Sequence, residues 1–191
     1  MPTVSALRPD RHDRVSVELD GQPWRALPAA AVVAVGLRVG LELDRSRARE
    51  LGRAVRRAEA LARAAGALAR RDLSAGKLDA VLARGGVRAP ERLAAVEKLV
   101  SLGYLDEPRL AERRAQGLAE RGYGDEAIRF RLEGEQLSPE LIAAALERLA
   151  PESERARGIA AGLPPAKAFR LLTARGFAPE TLEAVLGVSD L

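Results

Sequence analysis

The chain of 191 residues contains no cysteine and a single histidine, His12. Those absences exclude a disulfide framework, a zinc site built from Cys and His, and nucleophilic chemistry that needs a thiol or a second imidazole. A thiol-free chain fits the reducing cytoplasm. Aromatic residues make up only 3% of the sequence, so the interior must be leucine, valine and alanine packed between closely approaching helices, and a sheet sandwich is disfavoured. The longest apolar stretch, LPAAAVVAVGL at 27–37, is too short to cross a bilayer, and MPTVSALRPD lacks the charged start and long apolar core of a signal peptide. The reading is a soluble cytoplasmic protein that does not engage a membrane. No phosphate-binding G-x-x-x-x-G-K-[ST] loop, dinucleotide G-x-G-x-x-G turn or metalloprotease H-E-x-x-H helix occurs. No enzymatic activity, cofactor or metal is therefore expected, and any nucleotide chemistry must belong to a partner. Asparagine is also absent, and glutamine occurs only at Gln22, Gln116 and Gln136. Bidentate reading of adenine uses those two residue types, which disfavours a sequence-specific operator reader, although arginine alone still reads guanine.

What is abundant is arginine, unevenly placed. The net charge is +4, but residues 45–71 hold nine arginines against Glu50 and Glu59, a local charge of +7. At the other end, residues 132–191 set nine acids against six bases, a charge of −3. The chain is electrically polarised along its length.

Residues 137–146 read LSPELIAAAL and residues 177–186 read FAPETLEAVL, with the apolar, Pro, Glu, Ala and Leu columns in register. A third copy, VRAPERLAAVEKL at 87–99, is offset by one residue. In this motif proline sits at the first helical position, where its missing N–H costs nothing, and the glutamate after it meets the positive end of the helix dipole. Of Ala89, Ser138 and Ala178, only Ser138 caps by side chain. Preceding segments repeat as well: Leu78 and Leu82 hold the places that Ile128 and Leu132 hold later. Three helices make one unit, and units of about 40–50 residues bury too little alone and must stack. The expected organisation is an N-terminal module at 1–44, a basic helix with the first repeat at 45–105, a second repeat at 106–149 and a third at 150–191. Within the N-terminal module, RVSVELDGQPWRAL alternates Val15, Val17 and Leu19 before Asp20-Gly21, the signature of a two-residue hairpin. Pro28 then opens a short apolar helix, Gly36 and Gly40 break the chain, and Asp44 caps the helix after them. From Arg45 to Arg71 there is one long helix or two abutting ones, with Gly52 and Gly66 as candidate breaks. Ser74 caps the next helix, which Gly85-Gly86 ends.

At GYLDEPRLA, residues 103–111, Gly103 ends a helix, Tyr104 and Leu105 staple the junction, Asp106 caps the next helix and Leu110-Ala111 begin its buried face. With Gly124, Ile128, Leu132 and the LSPE helix, and with RVSVELDGQPWRAL and LRVGLELD upstream, the chain resembles the RecX family, regulators of the RecA recombinase, over nearly its whole length. One departure is Leu110, where that family often carries an aromatic residue. The resemblance implies a mainly α fold, with tandem three-helix repeats in a curved, elongated array behind a small module containing a β-hairpin. It implies a protein of DNA repair, homologous recombination and the SOS response that binds in the groove of the RecA filament and mainly inhibits recombinase and ATPase activity. It carries over no defined binding site.

The candidate partner- or DNA-binding residues come from the residues themselves. Arg45, Arg49, Arg53, Arg56, Arg57, Arg63, Arg70 and Arg71 either neutralise phosphates or face acidic protein; the alternative is a solvated helix in an arginine-biased composition. Arg129, Phe130 and Arg131 form a second candidate, because Ile128 and Leu132 claim the buried face. There an aromatic between two cations stacks a base, plugs a partner's pocket, or is partly buried against the next unit. Arg113, Arg114 and Arg121 extend that patch. His12 reads as surface tail, and Glu133 with Glu135 as solvated carboxylates, since residues two apart on a helix point to different sides. DNA binding, to single and double strands, is expected to be weak and non-specific, and the protein a monomer. Two other classes stay open: a helix-turn-helix-like transcription regulator and a passive helical adaptor.

Overall fold

The structure, a computed structural model, describes residues 1–187. It is mainly helical, with ten helices among the described residues and a small N-terminal sheet. The chain divides into two compact units, Met1–Arg71 with Leu78–Tyr104, and Asp72–Lys77 with Leu105–Leu191.

In the first unit, β1 (Val4–Asp10), β2 (Arg14–Leu19) and β3 (Gln22–Pro28) form an antiparallel sheet in that order. Leu19 pairs with Gln22, leaving Asp20 and Gly21 as a two-residue turn with φ of 50° and 78°. Both residues are left-handed, as a type I′ hairpin requires. Strand β1 goes beyond the hairpin that the sequence announces. Its later residues Arg8, Pro9 and Asp10 give no apolar alternation, and the strand is held by partners distant in sequence. It pairs with β2, Val4 N–H donates to Leu41 O at 2.9 Å, and Gly40 N–H donates to Val4 O at 2.8 Å. His12 lies in the turn between β1 and β2, exposed and with φ of 58°. Val4, Val17 and Leu27 bury one face of the sheet against Ala31 and Val32 of α1 (Ala29–Ala34) and against Leu51 and Val55 of the following helix, α2 (Arg45–Leu68).

Helix α2 (Arg45–Leu68) is continuous; neither Gly52 nor Gly66 interrupts it. Asp44 caps it, its carboxylate accepting from Arg47 N–H at 2.7 Å. The buried side of its second half is Ala60, Ala64 and Ala67, and α2 packs on α4 (Ala89–Ser101). Alanines let the two backbones approach. Between them in the chain comes α3 (Ala75–Arg84), capped by the Ser74 hydroxyl, which accepts from Lys77 N–H at 3.1 Å. Helix α4 begins one residue earlier than its relatives: Arg88 is the cap residue, Ala89 is N1 and Pro90 is N2. The one-residue offset in the sequence thus becomes an extra helical residue ahead of the proline.

In the second unit, α5 (Glu107–Glu120), α6 (Asp125–Gly134) and α7 (Pro139–Glu147) share one buried cluster centred on Ala111, Ala115, Ile128, Leu132 and Ile142. A further cluster joins α8 (Glu152–Ala160), α9 (Pro165–Ala174) and α10 (Pro179–Leu186) through Ala156, Leu172, Phe177 and Leu182. Asp106 caps α5 at 3.0 Å, and Ser138 caps α7 at 3.4 Å. Leu110 is buried despite being smaller than an aromatic residue. Tyr104, in contrast, does not staple its junction: it is 72% exposed, while Leu105 beside it is buried.

Two carboxylates fasten this unit in the same manner. Glu107, the first residue of α5, accepts from Ala75 N–H at the start of α3, at 2.8 Å. Glu152, the first residue of α8, accepts from Asp125 N–H at the start of α6, at 2.7 Å, and from the Thr181 hydroxyl at 2.6 Å. Each supplies a helix N-terminus with an anionic acceptor from a distant part of the chain. Sequence spacing gives no hint of either bond.

Candidate functional site

The arginines of α2 fall into two groups. Arg45, Arg49, Arg53 and Arg57 are four residues apart, so they share one side of the helix at axial steps of about 6 Å. All four are exposed and make no ion pair among the described residues. Their flank lies away from Leu51 and Val55, which anchor this half of the helix to the sheet module. Arg70 and Arg71, just past the helix, are likewise exposed and unpaired among the described residues.

Arg56 and Arg63 are instead tied to the fold. Arg56 Nε donates to Glu91 at 3.0 Å. That hydrogen bond is the main cause holding the Glu91 carboxyl below its ordinary value, against the opposing effect of desolvation. The other oxygen of Glu91, Oε2, is buried without a partner among the described residues. Arg63 donates to Gly85 O at 3.2 Å. Arg47 donates to Glu42 O at 3.0 Å.

In the second unit the arginine patch is more constrained than its sequence suggests. Arg113 pairs with Asp72 at 2.5 Å, and Arg114 reaches Asp72 O at 3.5 Å. Arg121 donates to Gly117 O at 3.0 Å. Arg131 donates to Ala127 O at 3.1 Å and lies over the Tyr123 ring, 3.9 Å from its centroid. Arg129 is exposed, and Phe130 is 74% exposed, so it is not covered by a neighbouring helix. Nor does it sit between two guanidinium groups. On a helix its neighbours are the residues three and four away, Glu126, Ala127, Glu133 and Gly134.

Asp125, Arg155 and Glu152 form a network that no sequence motif signals. Arg155 bonds the Asp125 carboxylate and donates to Tyr123 O at 2.9 Å. Burial pushes the Asp125 carboxyl up, opposed by the Arg155 charge. The network joins α6, α8 and α10 and is structural in its contacts. Among the described residues no group of His, Cys, Asp and Glu is arranged to hold a metal ion, and no helix is long and apolar enough to cross a membrane.

No family model matches the chain. A curated relative described as regulatory protein RecX, from Stenotrophomonas maltophilia (strain R551-3), is 38% identical over 85 residues. That match takes in 44% of this chain and about half, 52%, of the relative. A crystal structure of regulatory protein RecX shares the fold with a TM-score of 0.85, at 20% identity, over 98% of this chain and 100% of that one. RecX from Lactobacillus salivarius superposes with a TM-score of 0.64, at 14% identity, over 69% of this chain and 95% of its own. The structural likenesses establish the fold, and the sequence relative, matched over part of each chain, carries the same description as those structures.

Proposed function

We propose that this chain is a non-enzymatic cytoplasmic regulator that binds the RecA nucleoprotein filament, mainly restrains its recombinase and ATPase activity, and touches DNA weakly and without sequence preference. It acts as a monomer built from three-helix repeats spanning 45–105, 106–149 and 150–191, of which residues 188–191 lie outside the described structure. The observation that carries the reading is the row Arg45, Arg49, Arg53 and Arg57, exposed and, among the described residues, unpaired on a chain with the RecX fold. Such a row suits a polyanionic filament, since it offers phosphate contacts without base-edge chemistry. The test is RecA-dependent ATP hydrolysis on single-stranded DNA with increasing amounts of the protein. Hydrolysis should slow as the protein is added. Unchanged hydrolysis under conditions where the protein is folded would overturn the reading.

A further inference from the structure

Within the first unit, a groove runs between the second half of α2 and the turn that joins α3 to α4. It consists of two adjoining cavities of about 210 and 470 Å³ that share Arg63 and Val87. Its floor is apolar, formed by Ala60, Ala67, Leu82 and Val87. Along one rim stand Arg56 and Arg63, about 10.5 Å apart along α2, and Arg70 just past its end. Arg56 is engaged by Glu91 and Arg63 by Gly85 O, which leaves Arg70 as the guanidinium on this rim without a partner among the described residues. Arg88 stands on the opposite side. Two acids line the groove, and one of them, Glu91, is already engaged by Arg56. The lip at Gly85-Gly86 has no side chains, and Gly86, at φ +75°, has open space where a Cβ would stand.

An apolar floor between guanidinium groups selects a ligand with carboxylates on its flanks and aliphatic groups between them, because planar guanidinium forks hold carboxylates bidentately. A nucleic-acid strand matches less well. No aromatic residue lines either cavity, so bases would find no ring to stack on. We propose that this groove docks an acidic, leucine-rich peptide segment of a protein partner, with the bare Gly85-Gly86 lip letting the peptide backbone approach closely. The proposal goes beyond the filament reading and does not depend on it.

The test uses the full chain and a short fluorescein-labelled peptide of alternating leucine and glutamate, followed by fluorescence anisotropy and by the amide NMR signals of Gly85 and Gly86. Binding should move both glycine signals. A peptide with lysine in place of glutamate should not bind. Arg70→Glu with Arg88→Glu, two exposed side chains without ion pairs among the described residues, should weaken the acidic peptide roughly tenfold while circular dichroism stays unchanged. If that variant misfolds, the glycine shifts in the parent protein decide the matter. Equal binding of the lysine peptide, peptide binding that leaves Gly85 and Gly86 unmoved, or an oligonucleotide that moves these signals when the acidic peptide does not, would each overturn the proposal. Because no recombinase is present, failure here leaves the ATP hydrolysis test untouched, and the converse also holds.

Discussion

Glu91 uses one carboxylate oxygen to hold Arg56 while the other is buried without a partner among the described residues. A carboxyl held below its ordinary value of 4.5 contributes stability that is fully present above that pH and is lost as pH falls through the lowered folded value. Glu91→Gln does not titrate, so its urea midpoint should fall less between about pH 5 and 3 than the parent's does. An equally steep acid limb in the variant would show that Glu91 plays no part in it. Phe130 supplies the opposite kind of prediction. At 74% exposure, Phe130→Ala should change stability by no more than about 0.5 kcal/mol. Leu132→Ala, two residues on and 1% exposed, should cost about 2–5 kcal/mol in the same denaturant titration. Arg129→Glu should also be tolerated, whereas Arg131→Glu gives up the stacking on Tyr123, worth about 0.5–1 kcal/mol at an exposed site. At this scale the sequence was legible where chemistry is local. Asp44, Ser74, Asp106 and Ser138 each cap a backbone N–H three residues ahead. It was illegible where partners meet across the chain, as Arg56 and Glu91 do from 35 residues apart.

Among elements, α2 shows how many good helix formers outweigh two glycines that each cost about 1 kcal/mol relative to alanine. At Gly66 a Cβ would meet nothing within 4 Å, so Gly66→Ala should raise stability by about 0.4–1 kcal/mol. Gly124→Ala should do the reverse. Its Cβ would be driven into the backbone of Gly176 and Phe177, where Gly124 N–H donates to Arg175 O at 2.9 Å, and overpacking of this kind costs about 1–3 kcal/mol. Thermal or urea unfolding of the two variants checks both signs. The helices were readable because apolar spacing and proline or glycine punctuation agree. Strand β1 was not, because its polar end carries no alternation and its position depends on Leu41 and Gly40.

For the whole molecule, the ordered motifs at 103–111 and around Asp20-Gly21 led to an architecture that the fold comparison shares, which is why the fold was readable as a whole. The candidate interface was readable only as a composition. The thirteen candidate arginines look alike in sequence, and only their surroundings separate the row on α2, unpaired among the described residues, from Arg56, Arg63, Arg113 and Arg131, which are spoken for by the fold. If the four arginines of the row each meet one phosphate, the logarithm of duplex affinity should fall with the logarithm of salt at a slope of about −3.6. Changing all four to glutamine should flatten that slope towards zero on any sequence tested. A slope that survives the substitutions would move DNA contact away from this flank.

The bonds from Glu107 to the start of α3 and from Glu152 to the start of α6 also give the second unit a grammar of succession. Each later helix group opens with a carboxylate that completes an earlier one, like a tile that carries the peg for the tile before it. Such a series reads in one direction only. Duplicating a group without its opening glutamate would leave an earlier helix start unfinished. At α9 the corresponding first residue is Pro165, which has no N–H to offer, so a peg of this type would find nothing there to hold.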